Sequence, residues 1–305
     1  AGDVDAGDVD AGDVDAGDVD AGDVDAGDVD AGDVDAGDVD AKAEGSTGPT
    51  QLALRDVASL AVGNAHACAR LLDGTAWCFG ENTSGELGDG TNASKVEPVQ
   101  VKALEGVLQV SVGAHHSCAR RADGTAWCWG MNHVGQLGVP SPASSAIALQ
   151  VPGLTDVVEI ALGSDFSCSR KVDGTVWCWG DNKQRQLGDP SKSWSSVPLK
   201  VPSLGSTTSL AAGGSHACAL REDGSVRCWG LNDQGQLGLG DPTVSAVPLK
   251  VPGVLATAAS CGNSHCCALA KDLSVACWGR NDMGQLGAGS MGPPSGVVPS
   301  LLGCP

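Results

Sequence analysis

Large aromatic residues are scarce in this chain of 305 residues, which has no tyrosine, two phenylalanines and eight tryptophans. Long apolar runs are also missing: no uninterrupted stretch approaches the 18 residues that a membrane-spanning helix needs, so no membrane span is expected. Basic residues are few, and their longest run is Arg120-Arg121. Because a phosphate-binding surface needs clustered lysines and arginines, nucleic acid is not an expected partner.

Familiar catalytic motifs are absent as well. The sequence has no Ser-His-Asp order, G-x-S-x-G elbow, Walker loop or H-E-x-x-H motif, and no pair of acidic residues interrupts the repeat pattern described below. The cysteines are spaced C-x9-C rather than C-x2-C, which argues against a zinc site. We therefore expect neither an enzyme nor a bound metal or cofactor.

The first 40 residues are eight copies of Ala-Gly-Asp-Val-Asp. This tract holds 16 of the 37 acidic residues and none of the 18 basic ones, so the net charge of −19 belongs largely to it and the remainder carries −3. Such a composition cannot form a core and predicts a disordered, acidic spacer. We expect two regions: a low-complexity spacer and linker at 1–49 and a folded repeat domain at 50–305.

The folded region consists of five repeats. In each, G-x-x-H-x-C or a close variant is followed by C-W-G or C-F-G and then by N-x-x-G-Q-L-G or a close variant, with starts at Gly63, Gly113, Gly163, Gly213 and Gly262. A unit of about 50 residues cannot bury a core alone and must share its apolar faces with its neighbours. Each repeat contains four short apolar segments separated by turn residues, which predicts an all-β protein built from the blades of a β-propeller.

The x-Asp-Gly turn predicts the register of the central hairpin in each repeat. In the first repeat it places Cys68 opposite Cys78, Ala69 opposite Trp77 and Ala67 opposite Phe79. Opposed residues in an antiparallel pair lie close enough for a disulfide. The five pairs are Cys68 with Cys78, Cys118 with Cys128, Cys168 with Cys178, Cys218 with Cys228, and Cys267 with Cys277.

Reduced, buried cysteines in a cytosolic protein are the alternative interpretation. Five pairs at a bridging register favour disulfides, and hence an extracellular or cell-envelope location. Cys261, Cys266 and Cys304 are left over. Cys261 occupies an apolar strand position and could be simply buried, or Cys304 could bridge to Cys261 or Cys266.

The run from Gly213 to Gly230, together with Asn232 and Gly235-Gln236-Leu237-Gly238, resembles the repeat of the regulator of chromosome condensation family. The resemblance implies a β-propeller, usually seven-bladed, and the cysteine pairs resemble bacterial extracellular members. Five repeats are visible here, so the ring is smaller, open or completed elsewhere. Arg185 and Glu86 depart from the glycine and glutamine of the family loop. An envelope location would allow a lipid tether upstream of Ala1.

The repeat histidines predict packing rather than catalysis, because His66, His116, His216 and His265 share one position, which Phe166 fills in the third repeat. The repeat asparagines are expected to hold the following loop. Loops after each Leu-Gly vary most, and Trp194 is the only tryptophan outside the repeat pattern, so it either contacts a partner or covers a blade edge.

The sequence leaves three functions to compare. The first is a non-catalytic propeller that binds a protein or glycan through its variable loops. The second, implied by the family resemblance, is a regulator of a GTPase of the nucleotide-exchange-factor type, which would carry free cysteines. The third is an enzyme with a site in the central channel, for which the sequence offers no cluster of catalytic residues.

Overall fold

The computed structural model describes residues 52–292 and 296–299. The expected acidic spacer at 1–49, its boundary with the repeat domain and Cys304 lie outside the described residues. Every regular element in the described part is a β-strand, which confirms the all-β prediction. No helix there is long and apolar enough to cross a membrane.

Each repeat forms a four-stranded antiparallel sheet whose strands follow chain order. The first two sheets contain β1 (Val57–Val62), β2 (His66–Leu71), β3 (Ala76–Gly80) and β4 (Lys95–Gln100), then β5 (Val107–Val112), β6 (His116–Arg121), β7 (Ala126–Met131) and β8 (Ser144–Gln150). The third contains β9 (Val157–Leu162), β10 (Phe166–Lys171), β11 (Val176–Asp181) and β12 (Trp194–Lys200).

The fourth and fifth sheets are joined by one long strand. They contain β13 (Thr207–Ala212), β14 (His216–Arg221), β15 (Ser225–Gly230), β16 (Ser245–Cys261), β17 (His265–Ala270), β18 (Val275–Gly279) and β19 (Val298–Pro299). The first half of β16 pairs with β15 and its second half with β17, so it is both the last strand of the fourth sheet and the first of the fifth.

The hairpin register is the one that the sequence predicts. Cys68 lies opposite Cys78, Ala69 opposite Trp77 and Ala67 opposite Phe79. The turn between them is fixed by Asp73, whose carboxylate accepts hydrogen bonds from the backbone N–H and hydroxyl of Thr75 at 2.8 and 2.7 Å. Gly74 follows with a φ of 80°, a left-handed conformation that glycine adopts at little cost.

The core lies between neighbouring sheets. In one cluster, Cys68, Ala76 and Cys78 of the first sheet pack against Val107, Val110 and Trp129 of the second. Equivalent clusters join the second sheet to the third, the third to the fourth and the fourth to the fifth. The repeats are therefore blades of a β-propeller that bury their apolar faces against each other, as expected for units too small to fold alone.

The first blade has no such neighbour on one side among the described residues. Leu60 on β1 is 64% exposed, whereas Leu210, at the same place on β13, is 8% exposed. Val62 is 78% exposed, and the equivalent Val112 is 9% exposed. No described residue covers this face of β1, whereas the equivalent face is buried in the later blades.

Candidate functional site

One end of the propeller, here called the loop face, combines two elements of each blade. These are the turns at 63–65, 113–115, 163–165, 213–215 and 262–264 and the loops at 81–94, 132–143, 182–193, 231–244 and 280–292. The two elements are hydrogen-bonded to each other, since the backbone N–H of Glu81 donates to the carbonyl of Ala65 at 2.9 Å. The equivalent bond recurs in each of the four later blades. The variable segments thus stand on a rigid base.

The repeat asparagine holds each loop in place, as the sequence predicts. The side-chain carbonyl of Asn82 accepts a hydrogen bond from the N–H of Leu87 at 2.9 Å. Its amide nitrogen donates to the carbonyls of Thr91 and Ala93 at 3.0 and 3.1 Å. Because the bond to the invariantly spaced leucine recurs in the other four blades, loops of different sequence share one anchor.

The repeat histidine joins one blade to the next. The Nε2 of His66 lies 2.8 Å from the Ser117 hydroxyl, which donates in turn to the carbonyl of Glu86 at 3.1 Å. Since that hydroxyl uses its proton on the carbonyl, His66 must carry its proton on Nε2. Trp129 donates to the same carbonyl at 2.7 Å. His116, Ser167, Gln136 and Trp179 repeat the arrangement between the second and third blades.

Burial keeps these histidines neutral. It lowers the pKa of His66 to about 4, with a smaller effect of His115, and the pKa of His116 to about 3, with a smaller effect of His66. Burial also lowers the pKa of His216 to about 4. At neutral pH these rings are uncharged hydrogen-bond donors inside the blade interfaces, and the geometry assigns them the packing role expected from the sequence.

The glycine of G-x-x-H makes room for the ring. A Cβ added to Gly113 would lie 2.5 Å from Cε1 of His116 and 2.6 Å from the carbonyl oxygen of Gly163 in the next blade. At Gly163 an added Cβ would lie 1.9 Å from a ring carbon of Phe166. The spacing of glycine and ring therefore reflects a close approach of the turn to the side chain.

Two interfaces depart from the His-Ser pattern. Between the third and fourth blades, Phe166 takes the place of histidine and Ala217 that of serine, so both polar partners are lost together. Between the fourth and fifth blades, the histidine is kept but Nε2 of His216 lies 3.0 Å from the sulfur of Cys266.

A cavity of about 540 Å³ opens at the centre of the loop face and is lined by the first turn of all five blades. Its wall is held by backbone hydrogen bonds between blades: Ala114 donates to Ser164, Ser164 to Gly214, and Gly214 to Asn263, at 2.9–3.2 Å. None of the described residues that line it is acidic, basic or a histidine.

The titratable side chains of the loop face lie beside this cavity rather than in its wall. Nδ1 of His115 lies 3.9 Å from a carboxylate oxygen of Glu81 and 3.9 Å from one of Glu86, which is buried. Farther round the ring, burial and the nearby Asp181 raise the pKa of Asp165. The sequence signal for Glu86 was its departure from the repeat glutamine, and its pairing with His115 depended on the fold.

Trp194 begins the outer strand β12, where it lies opposite Asp181 at the edge of the loop face. It is 52% exposed. By contrast, four tryptophans at the C-W-G position are completely buried: Trp129, Trp179, Trp229 and Trp278. The contact role of Trp194 stays a prediction.

The described residues form six disulfides. Five are the pairs expected from the register: Cys68 with Cys78, Cys118 with Cys128, Cys168 with Cys178, Cys218 with Cys228, and Cys267 with Cys277. The sixth joins Cys261 to Cys266 across the turn between β16 and β17. Simple burial of Cys261 and bridges from it or Cys266 to Cys304 are therefore wrong.

A protein-family model for the RCC1-like domain matches residues 37–303. The chain belongs to the RCC1-like domain family. No curated protein sequence shows significant similarity to it. The match confirms the family resemblance on which the propeller prediction partly rests, while the bacterial, extracellular subtype stays a prediction.

Solved structures give the same fold for this RCC1-like domain. Human WBSCR16 superposes with a TM-score of 0.73 at 24% identity, over 81% of this chain and 67% of that chain. Prp20p from Saccharomyces cerevisiae, studied for its binding to Gsp1p and histones, gives 0.69 at 22% identity over 80% and 62% of the two chains. Yeast RCC1 (Prp20) bound to Kap60 gives 0.60 at 19% identity, over 80% and 74%. At these identities the likeness establishes the fold alone.

Proposed function

We propose that this RCC1-like domain is a non-catalytic binding propeller that recognises a protein or glycan through the variable loops of its loop face, with Trp194 as a contact residue. A protein-binding role is supported by the family and by the solved relatives whose partners are proteins. Non-catalytic action is supported by the central cavity, whose described lining offers no acid, base or histidine.

The observation that carries the proposal is the contrast between the tryptophans. The C-W-G tryptophans are buried between blades and donate hydrogen bonds to a loop carbonyl, so they serve the fold. Trp194 leaves half of its surface exposed where the loops differ most. Exposed aromatic side chains are enriched among residues that dominate binding energy, because they bury a large area at a low entropic cost.

An extracellular or envelope location is part of the proposal. Six disulfides in the described residues support it, because such bonds persist in oxidising compartments and are rare in the cytosol. The acidic tract at 1–40 would then serve as a spacer, as its composition predicts.

The test is a Trp194→Ala variant of the full chain. The immobilised wild-type chain first recovers a partner from an extracellular extract, and affinity for that purified partner is then compared. We expect the variant to bind about 30-fold more weakly, corresponding to a loss of about 2 kcal/mol. The melting temperature should stay unchanged, since the residue is exposed.

Leu273→Ala is the matched control. Leu273 is 79% exposed, but it lies in the turn between β17 and β18 at the end opposite the loop face, so its truncation should not affect binding. The proposal is contradicted if Trp194→Ala binds the partner with unchanged affinity and has a much lower melting temperature. Trp194 would then be a structural residue, and the part of the loop face around Trp194 would not be the binding surface.

A regulator of a GTPase, of the nucleotide-exchange-factor type, is the second candidate. It is favoured by the likeness of the fold to Prp20p. The two candidates differ in redox state, because a cytosolic regulator should have free thiols. Alkylation under denaturing, non-reducing conditions should therefore leave the twelve cysteines of the six disulfides unmodified if the first proposal holds, and modify them if the second does.

A further inference from the structure

The fifth blade departs from the repeat at two neighbouring positions, and both departures are cysteines. Cys266 stands where the second and third blades have Ser117 and Ser167, the partners of the repeat histidine. Cys261 stands where the same blades have Val112 and Leu162 on the inner strand. The two cysteines lie opposite each other and form the sixth disulfide.

The two sulfur atoms differ in access. Cys266 is completely buried, whereas Cys261 is half-buried. Cys261 lines the central cavity of the loop face and a second cavity of about 190 Å³ deeper along the inner strands. Among the described cysteines, it alone lines either of these cavities. A small molecule in the channel can therefore reach Cys261 but not Cys266.

The buried sulfur has a hydrogen-bond donor beside it. Nε2 of His216 lies 3.0 Å from Sγ of Cys266. In the equivalent interfaces the Nε2–H of His66 and of His116 donates a hydrogen bond to a serine hydroxyl oxygen. The same tautomer of His216 therefore directs its N–H at the sulfur. Nδ1 of His216 has no hydrogen-bond partner, which fits an unprotonated nitrogen.

We propose that Cys261 is a site of thiol exchange, at which a low-molecular-weight thiol of the glutathione class enters the central cavity and opens the Cys261–Cys266 disulfide. The incoming thiolate, having lost its proton to solvent, bonds to Sγ of Cys261. The Sγ–Sγ bond breaks and its electron pair leaves on Sγ of Cys266. The products are a mixed disulfide at Cys261 and a buried thiolate at Cys266.

His216 explains why this bond opens in that direction. A thiolate is a better leaving group when its negative charge is stabilised, and a hydrogen bond to an ionised sulfur is stronger than one to a neutral sulfur. Attack on Cys261 leaves the charge on the sulfur that receives the N–H of His216. Attack on Cys266 is blocked by its burial. The modification is separate from the binding role proposed above and does not depend on it.

The experiment treats the native full chain with reduced glutathione at neutral pH and stops the reaction after increasing times with denaturant and N-ethylmaleimide together, so that buried thiols are also trapped. The modified peptides are then mapped. We expect glutathione on Cys261 and maleimide on Cys266, at a rate about tenfold above that of any other described cysteine. The circular dichroism spectrum and the other five disulfides should be unchanged at that time.

The chain itself supplies the matched control. The double variant Cys261→Val, Cys266→Ser places in the fifth blade the residues that occupy these positions at Val112 and Ser117. It should fold with the wild-type melting temperature, since His216 regains a serine partner, and it should acquire no glutathione. A second variant, His216→Phe, copies Phe166 of the third blade and should slow the exchange about tenfold by removing the donor.

Two results would overturn the proposal. The first is opening of Cys267–Cys277 before Cys261–Cys266, because Cys267 is also half-buried but lines neither of the two cavities. The second is loss of all disulfides together, only as the chain unfolds. If His216→Phe fails to fold, attachment of glutathione to Cys266 rather than Cys261 in the wild-type chain still rejects the mechanism.

Discussion

Histidine and phenylalanine fill the same position in different blades, and their neighbours change with them. Where the ring is His66 or His116, the next blade supplies a serine, and where it is Phe166, the next blade supplies Ala217. A buried polar ring needs a partner because an unsatisfied donor costs about 1–3 kcal/mol. The ring residue and its partner in the next blade are thus either both polar or both apolar. This pattern shows that the ring position serves packing between blades.

The first prediction is that acid destabilises the propeller between about pH 6.5 and pH 4. The pKa values of His66, His116 and His216 are lowered to about 3–4 by burial, whereas the unfolded chain has the ordinary value of 6.5. The unfolded state therefore binds more protons in this window, and stability falls as pH falls. Each buried histidine should contribute about 1.4 kcal/mol per pH unit to the free energy of unfolding measured with urea.

The double variant His116→Phe, Ser167→Ala isolates this effect, because it copies the Phe166–Ala217 pair. It should remain folded and lose about a third of the slope of stability against pH. His133→Gln is the control, since it removes an exposed histidine outside the blade interfaces. An unchanged slope in the double variant would show that other groups cause the acid sensitivity.

The tryptophan of C-W-G in one blade packs against the preceding blade and donates a hydrogen bond to one of its loops. Trp179 is completely buried, packs in a cluster with Cys118 and Cys128 of the preceding blade, and donates to the carbonyl of Gln136 at 2.9 Å. The first blade has Phe79 at this position, which has no N–H to donate. A strand in one blade is therefore stabilised by a loop in another.

The second prediction separates the volume of Trp179 from its hydrogen bond. Trp179→Ala should lower the free energy of unfolding by about 3–5 kcal/mol, because it leaves a large cavity between two blades. Trp179→Phe retains most of the packing and leaves the Gln136 carbonyl with its bond from the Ser167 hydroxyl, so it should cost less, about 1–2 kcal/mol. Urea unfolding measures both, and equal losses for the two variants would contradict this division.

At the scale of the whole molecule, the first described blade exposes a surface that all later blades bury. Leu60 and Val62 are not covered by any described residue, while their equivalents on β5, β9 and β13 pack in the blade interfaces. Four interfaces join the five described blades, so the first and the fifth blade each have one interface and the other three have two.

The third prediction compares one substitution at two equivalent positions. Leu210→Ala should cost about 2–5 kcal/mol, because the side chain is 8% exposed and packs between the third and fourth blades. Leu60→Ala should cost less than about 0.5 kcal/mol, as is usual for exposed positions. Similar losses for both variants would show that the face of β1 is covered in solution, and a change of oligomeric state in Leu60→Ala, followed by light scattering, would identify a second copy as the cover.

The sequence by itself determined the local structure of the blade and its repetition. The x-Asp-Gly turn fixes the hairpin register, and the register alone predicts which cysteines of each hairpin can bond. The asparagine and the glycine-rich loop also follow from residues close together in the chain. These features can be predicted from the sequence because the interactions that cause them join residues within about ten positions of each other.

Only the tertiary structure decided the contacts between residues that lie about 50 positions apart in the sequence. Such contacts pair His66 with Ser117 and bring His216 to the sulfur of Cys266, and a contact between residues 29 apart places Glu86 beside His115. The exposure of Leu60 also depends on the packing of blades. A repeated sequence specifies identical surfaces, but which of them are buried, and which side chains then meet, depends on how the blades assemble.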